Sequence, residues 1–210
     1  MKLQLPKTVP IFPLSGVIFF PKTNLPLNIF EPRYLSLVND CAKSNKYMGL
    51  IQLKKDGSNV YAVGCLGKIT ENKKTKDGRL LVNLIGVTRF EIKSEIHNNK
   101  NYREFEVSYD KFREDLDSSK KQLSKIERIK ELSEKTKIFF KKNGLLLNWR
   151  EFEKLDDDQR INTLAMIAPI SNEEKQTVLE SVSIESKTKI LSEIMEFYLH
   201  ETSDNSMTIH

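Results

Sequence analysis

Few residues in this chain are spaced for bond-making chemistry. The nearest approach to a phosphate cradle is Gly64-Cys65-Leu66-Gly67-Lys68. A P-loop wraps phosphate with backbone N–H groups between widely spaced glycines and then supplies a lysine; here the glycines are too close and sit in an apolar run. There is no G-x-G-x-x-G at a strand-to-helix turn and no G-x-S-x-G elbow, so nucleotide and acyl-transfer chemistry lack their usual scaffolds. His97, His200 and His210 have no ligand partner three or four residues away, which argues against a metal site. Cys41 and Cys65, the only cysteines, fall in apolar helix-like and strand-like settings typical of inert buried thiols. The sequence therefore predicts no catalytic residue, no metal and no cofactor.

What stands out instead is a proline-rich, aromatic stretch. Six of the seven prolines lie at positions 6, 10, 13, 21, 26 and 32, among Ile18, Phe19, Phe20, Ile29 and Phe30. Proline cannot donate to a sheet ladder, so these strands are expected at edges or corners. An edge could take up an extended peptide by β-augmentation; the competing reading is a set of rigid corners closing a barrel. Glu31 and Arg33 could clasp a ligand or tie a helix start to its neighbour. Phe19, Phe20, Phe30, Glu31, Arg33 and Tyr34 are the candidate binding residues.

The elements that position them read as two regions. Alternation at Phe105, Val107 and Tyr109, and at Phe90 and Ile92, predicts strands with one wet face. The more continuous runs Val60–Val63 and Leu80–Ile85 predict strands covered on both sides, with others near Ile11, Val17 to Phe20, Leu25 to Ile29 and Met48 to Leu53. Asp56-Gly57 and Asp77-Gly78 are turn signals, because glycine accepts the positive φ of tight hairpins. Glu31 to Cys41 carries apolar groups at 34, 37, 38 and 41 behind an early proline, a helix plugging one end of the sheet. The second half of the chain turns helical. Ile126, Ile129, Leu132, Phe139 and Phe140 form a stripe within Lys111 to Asn143, closed by Gly144. Asp156 to Asp158 and Ser171 to Glu174 read as helix starts, Pro169 as a stop, and Thr202 to His210 as a frayed end.

Composition narrows the class. The chain has 210 residues, 39% hydrophobic, with Lys+Arg 34 against Asp+Glu 29. Between Lys111 and Asn143 lie 11 basic and six acidic residues, an excess equal to the whole chain's +5; the remainder balances. A basic excess confined to one mixed-charge segment weakens a nucleic-acid reading. No apolar run approaches the ~18 residues of a membrane span, and the first residues lack a secretory h-region. The expectation is a soluble, cytoplasmic protein without a membrane partner.

Read in order, Pro10 to Leu14 (PIFPL), Leu25 to Tyr34 (LPLNIFEPRY), Val63 to Gly67 (VGCLG), Asp77 to Arg79 (DGR) and Gly86 to Ile92 (GVTRFEI) resemble the N-terminal, substrate-binding domain of the ATP-dependent Lon proteases. The likeness is to short stand-alone bacterial Lon-N-domain proteins and the Lon-like part of cereblon. It continues more loosely through Ile161 to Ala165, Pro169 to Ser171 and Glu174 to Glu180. The resemblance implies an α+β fold: a PUA-like antiparallel β-barrel with one plug helix over residues 1–115, then an all-α helical bundle over 116–210. It also implies a non-catalytic module recognising unfolded or extended protein segments, or working with a separately encoded protease or chaperone in protein quality control. Asn28 departs from the basic or aromatic residue expected in relatives. The alternative is an RNA-binding PUA-like protein using Lys73, Lys74 and Lys76, against which stands the lack of aromatics beside those lysines.

Overall fold

The computed structural model describes residues 4–116 and 126–204, with side chains from 4 to 116 and from 129 to 200. The chain divides into two compact units, Met1–Asp117 and Ser118–His210. The expected junction after residue 115 adjoins 117–125, which lie outside the described residues, as does the tail beyond Asp204.

Six strands build the first unit: β1 (Thr8–Leu14), β2 (Asn24–Ile29), β3 (Tyr47–Gln52), β4 (Val63–Lys74), β5 (Leu80–Ile96) and β6 (Glu104–Ser108), with helix α1 (Pro32–Lys43) between β2 and β3. The sheet runs β2-β5-β4-β3-β1-β6, and β6 pairs back onto β5, closing a five-strand ring with β2 appended to β5. One pairing departs from the antiparallel expectation: β1 and β3 are parallel, Ile11 opposite Gly49 and Leu14 opposite Gln52. The remaining ladders are antiparallel. Inside the ring, Val9, Ile11, Tyr47, Leu66, Phe90 and Phe105 pack as one core. α1 buries Tyr34, Leu37, Val38 and Cys41, the four positions its spacing predicts, and touches β1 and β3.

Three local outcomes differ from the sequence reading. Val17 to Phe20 is not a strand, although Ile18, Phe19 and Phe20 are buried. Its backbone crosses β5 at Gly86, where a Cβ would lie 2.1 Å from the Phe20 carbonyl oxygen; Lys22 N–H donates to Gly86 and Gly86 N–H to Thr23. Leu80–Ile85 and Phe90–Ile92 belong to a single 17-residue strand, and its first half is covered on one face only, leaving Leu81 and Ile85 exposed. The run Val60–Val63 contributes an isolated bridge, Leu53 to Val60, before β4 begins at Val63. The Asp77-Gly78 turn does link β4 to β5, with Gly78 at φ +88°.

A 3-10 helix, Asp110–Leu116, follows β6 where the sequence predicts the start of the helical stretch from Lys111. Arg89 fastens it: fully buried, its Nε and Nη2 donate to Asp115 at 2.9 and 2.7 Å, its backbone N–H to the same carboxylate at 2.9 Å, and its guanidinium lies 4.2 Å from the Phe112 ring centroid.

The second unit holds α2 (Ile126–Lys142), α3 (Trp149–Phe152), α4 (Asp157–Ile167), α5 (Asn172–Glu180) and α6 (Ile184–Asp204). Gly144 sits at φ +65° just past α2. Asp156 with Gln159 and Ser171 with Glu174 form reciprocal capping boxes at the starts of α4 and α5. α6 packs against α2, α4 and α5. Ile129, Leu132, Phe139 and Phe140 are all buried, so this part of the α2 stripe is core and not a free face for a separately encoded protease or chaperone, while the Ile126 side chain lies outside the described residues. Phe197, by contrast, is exposed.

Candidate functional site

The site grows from a place where the barrel wall parts. β1 pairs with β6 only from Thr8 to Pro10 and with β3 only from Ile11 to Leu14. Continued in register, β6 would carry Asn101 and Tyr102 along the second half of β1. Instead that segment turns to α1: the Tyr102 phenol donates to Asp40 at 2.7 Å and the Asn101 amide donates to Ser36 at 3.3 Å. Proline at position 13 suits the parting, since it has no N–H to leave behind.

The parting opens a cleft of about 240 Å³ between Ile11 and Pro13 of β1, Arg33 and Tyr34 of α1, and the β5–β6 connection from Glu95 to Arg103. The Tyr34 ring forms its apolar floor, with its centroid 4.1 Å from that of Phe12. The Arg33 guanidinium lies 4.5 Å from the Tyr34 centroid and donates to Glu31 at 3.0 Å. Across the opening, Arg103 grips Glu95 with two bonds of 2.7 Å, and Lys100 donates to Glu104 at 2.8 Å. The Arg and Lys cations of the cleft are thus each answered by a carboxylate of the chain itself, and the rim is polar without being a charge sink.

These contacts shift the titrating groups in readable directions. Burial, then the neighbouring Asp40 carboxylate, pushes the Tyr102 phenol up to about 12. Burial also raises Tyr34, opposed by Arg33. The Arg103 hydrogen bond holds Glu95 below the usual carboxylate range. Cys41, behind α1, is pushed up to about 12 by burial and then Asp40, which suppresses its thiolate.

The six candidate residues fall into three places. Arg33 and Tyr34 line the cleft. Phe30 is 65% exposed at the entry to α1, with Glu31 beside it at the N-cap, making no side-chain cap. Phe19 and Phe20, at 2% and 0% exposure, are interior, packed beneath the crossing at Gly86 and over Gly67, and offer no surface to a partner. Sequence reasoning missed Glu95, Lys100, Tyr102 and Arg103. Their only sequence signal is a polar, Asn-rich turn, and their role depends on α1 lying opposite. Among the described residues no three His, Cys, Asp or Glu side chains are placed to hold a metal ion, and no helix is long and apolar enough to cross a membrane.

Comparison with known proteins gives this arrangement a family. The chain is 24% identical over 204 residues to Lon protease 1 of Hydrogenovibrio crunogenus, covering 93% of this chain and 24% of that protein. It is 30% identical over 101 residues to the Lon protease of Elusimicrobium minutum, covering 45% of this chain and 12% of that protein. The chain therefore spans a quarter or less of the length of these relatives. In fold it matches a Lon N-terminal domain protein from Xanthomonas campestris, at a TM-score of 0.64 and 20% identity, covering 88% of this chain and 97% of that one. It also matches the N-terminal domain of a Mycobacterium avium complex Lon protease, at a TM-score of 0.70 and 14% identity, covering 90% and 98% respectively. Residues 8–196 match the family model described as the ATP-dependent protease La (LON) substrate-binding domain, and the chain belongs to that family.

Proposed function

We propose that this chain is a non-catalytic holder of exposed, extended segments of other proteins, acting in the cytoplasm as an adaptor in protein quality control. The observation that carries this reading is Phe30: a large aromatic side chain, 65% exposed, fixed between the end of β2 and the start of α1, three residues before the cleft-lining Arg33. Covering one such ring is worth ~1.5–3 kcal/mol, so a few apolar contacts reach micromolar affinity. Partners of this chemistry are unfolded or partly unfolded proteins; a separately encoded protease or chaperone would then receive them. The sequence holds no Walker motif, which supports a role without ATP turnover.

The test is titration of the purified chain into fluorescently labelled, reduced and carboxymethylated α-lactalbumin, with native α-lactalbumin as control. The unfolded form should bind with micromolar affinity that changes little between 50 and 300 mM salt. Equal binding of both forms, or none, would contradict the reading. A steep loss with salt would point to the charge-driven association of an RNA-binding module instead. Neither casein nor ATP should be hydrolysed above a heat-killed control.

A further inference from the structure

We infer that the free edge of β2 takes up an extended segment of another protein as an added strand; this rests on the substrate-holding role proposed above. β2 stands at the end of the sheet, and β5 is its only hydrogen-bonded neighbour. The phase of that ladder is set where β2 begins. Gly86 N–H donates to the Thr23 carbonyl and Lys22 N–H, at φ +60°, to the Gly86 carbonyl, a bulge that makes Thr23 and Gly86 a bonded pair. By alternation, Leu25, Leu27 and Ile29 then turn their backbone groups to β5, while Asn24, Pro26 and Asn28 turn theirs to the open side. Pro26 fits that phase, since it has no N–H to give β5. The open side thus presents three carbonyls and the N–H groups of Asn24 and Asn28. All three residues are exposed, and none of these five groups has a hydrogen-bond partner among the described residues.

The edge selects its occupant. Donors and acceptors alternating along an exposed strand match the main chain of another extended segment. Such edges are commonly blunted by charge, yet no residue from Asn24 to Phe30 carries one, in a chain that is 30% charged. Leu81 and Ile85 stand opposite Asn28 and Asn24 on β5 and are 46% and 42% exposed, so the face beside the edge is apolar. Phe30, 65% exposed, follows at the end of the strand. A second copy of this chain fits poorly. Paired two-fold about Pro26, the two Pro26 carbonyls face each other with no donor between them, and every shifted register still contains two prolines that cannot donate. A guest strand without proline forgoes only the one donor that Pro26 lacks. The guest is thus an uncharged, extended segment of a different protein, held by its main chain and by apolar side chains.

The probe is a blocked heptapeptide, acetyl-Thr-Leu-Thr-Phe-Thr-Leu-Thr-amide, titrated into the full chain. Asn28→Pro deletes one outward N–H at a position equivalent to that of Pro26, and should bind the peptide about fivefold or more weakly. Asn28→Ala keeps the N–H and loses only the side chain, and should bind like wild type. Unfolding curves taken alongside check that both variants are folded. Peptides N-methylated at one residue at a time read the same contact with the protein unaltered: affinity should fall about fivefold or more at alternate residues and change little between them. No binding of the peptide, wild-type affinity in a folded Asn28→Pro protein, equal losses in the two Asn28 variants, or uniform sensitivity to N-methylation would overturn the inference. So would a wild-type dimer that Asn28→Pro dissociates, which would assign the edge to a second copy. The unfolded α-lactalbumin titration reads the holding role separately: if that protein binds while the peptide shows no alternation, the role stands and strand addition falls.

Discussion

Tyr102 donates its phenol to Asp40 across a gap of 62 residues in sequence, and in doing so it draws the start of β6 away from β1. Together with the Asn101 bond to Ser36, this hydrogen bond of 2.7 Å to the exposed face of α1 separates a closed ladder from an open cleft. The opening in the barrel wall is a diverted strand, held by a side chain that titrates far above neutrality.

Tyr102→Phe keeps the ring and removes the bond. Stability should fall by about 0.5–1.5 kcal/mol in urea denaturation. The freed segment can drift back along β1, a change that the amide resonances of Tyr102 and Arg103 should report even where the protein is fully folded.

The pH dependence follows from shifts in opposite directions. Tyr102 is raised from 10.0 to about 12, so its contribution is fully present below pH 10 and is lost as pH rises through about 12. Asp56 and Asp77 are lowered from 3.8 to about 2, the first mainly by Asn59 and the second mainly by Arg79. Their contributions are present above pH 3.8 and lost as pH falls toward 2. Thermal melts should vary little on account of these groups between pH 4 and 10, and ultraviolet titration should show a tyrosine ionising late.

Arg89 and Asp115 are both almost wholly buried, with side-chain exposures of 2% and 8%. Arg89→Met alone should cost about 3–5 kcal/mol, because it strands a carboxylate without its partner. The double variant with Asp115→Leu should recover much of that loss. Urea denaturation of the two single variants and the double variant checks the non-additivity.

Gly86→Ala places a methyl group against the backbone of Phe20 at 2.1 Å. The crossing segment must move or β5 must bend, and a loss of about 2–4 kcal/mol is expected in denaturant unfolding.

Much of this architecture is legible in the sequence because it is local. The 34, 37, 38 and 41 spacing of α1 survives as its buried face, the Asp77-Gly78 turn supplies its positive φ, Asp156 caps α4 as expected, and the capping box at Ser171 forms as its spacing predicts. The misses are non-local. Nothing in PIFPL says that its partner is a parallel β3, since strand direction is set by where α1 returns the chain. Phe19 and Phe20 match Phe30 in chemistry, yet only Phe30 is exposed; the difference is the crossing at Gly86, 56 residues further on than Phe30. Arg79 and Arg89 each follow a glycine within three residues, but one makes an exposed pair with Asp77 and the other a buried pair with Asp115. The cleft as a whole has no sequence signature, because three separate segments create it.

The most direct measurement compares wild-type protein with Phe30→Ser and Phe20→Ser for binding of unfolded α-lactalbumin, beside their unfolding curves. Phe30→Ser should stay within about 0.5 kcal/mol of wild type in stability and bind about tenfold more weakly, whereas Phe20→Ser should lose about 3–5 kcal/mol through its buried site. A Phe30→Ser protein that is folded and binds unfolded α-lactalbumin as tightly as wild type would contradict the account.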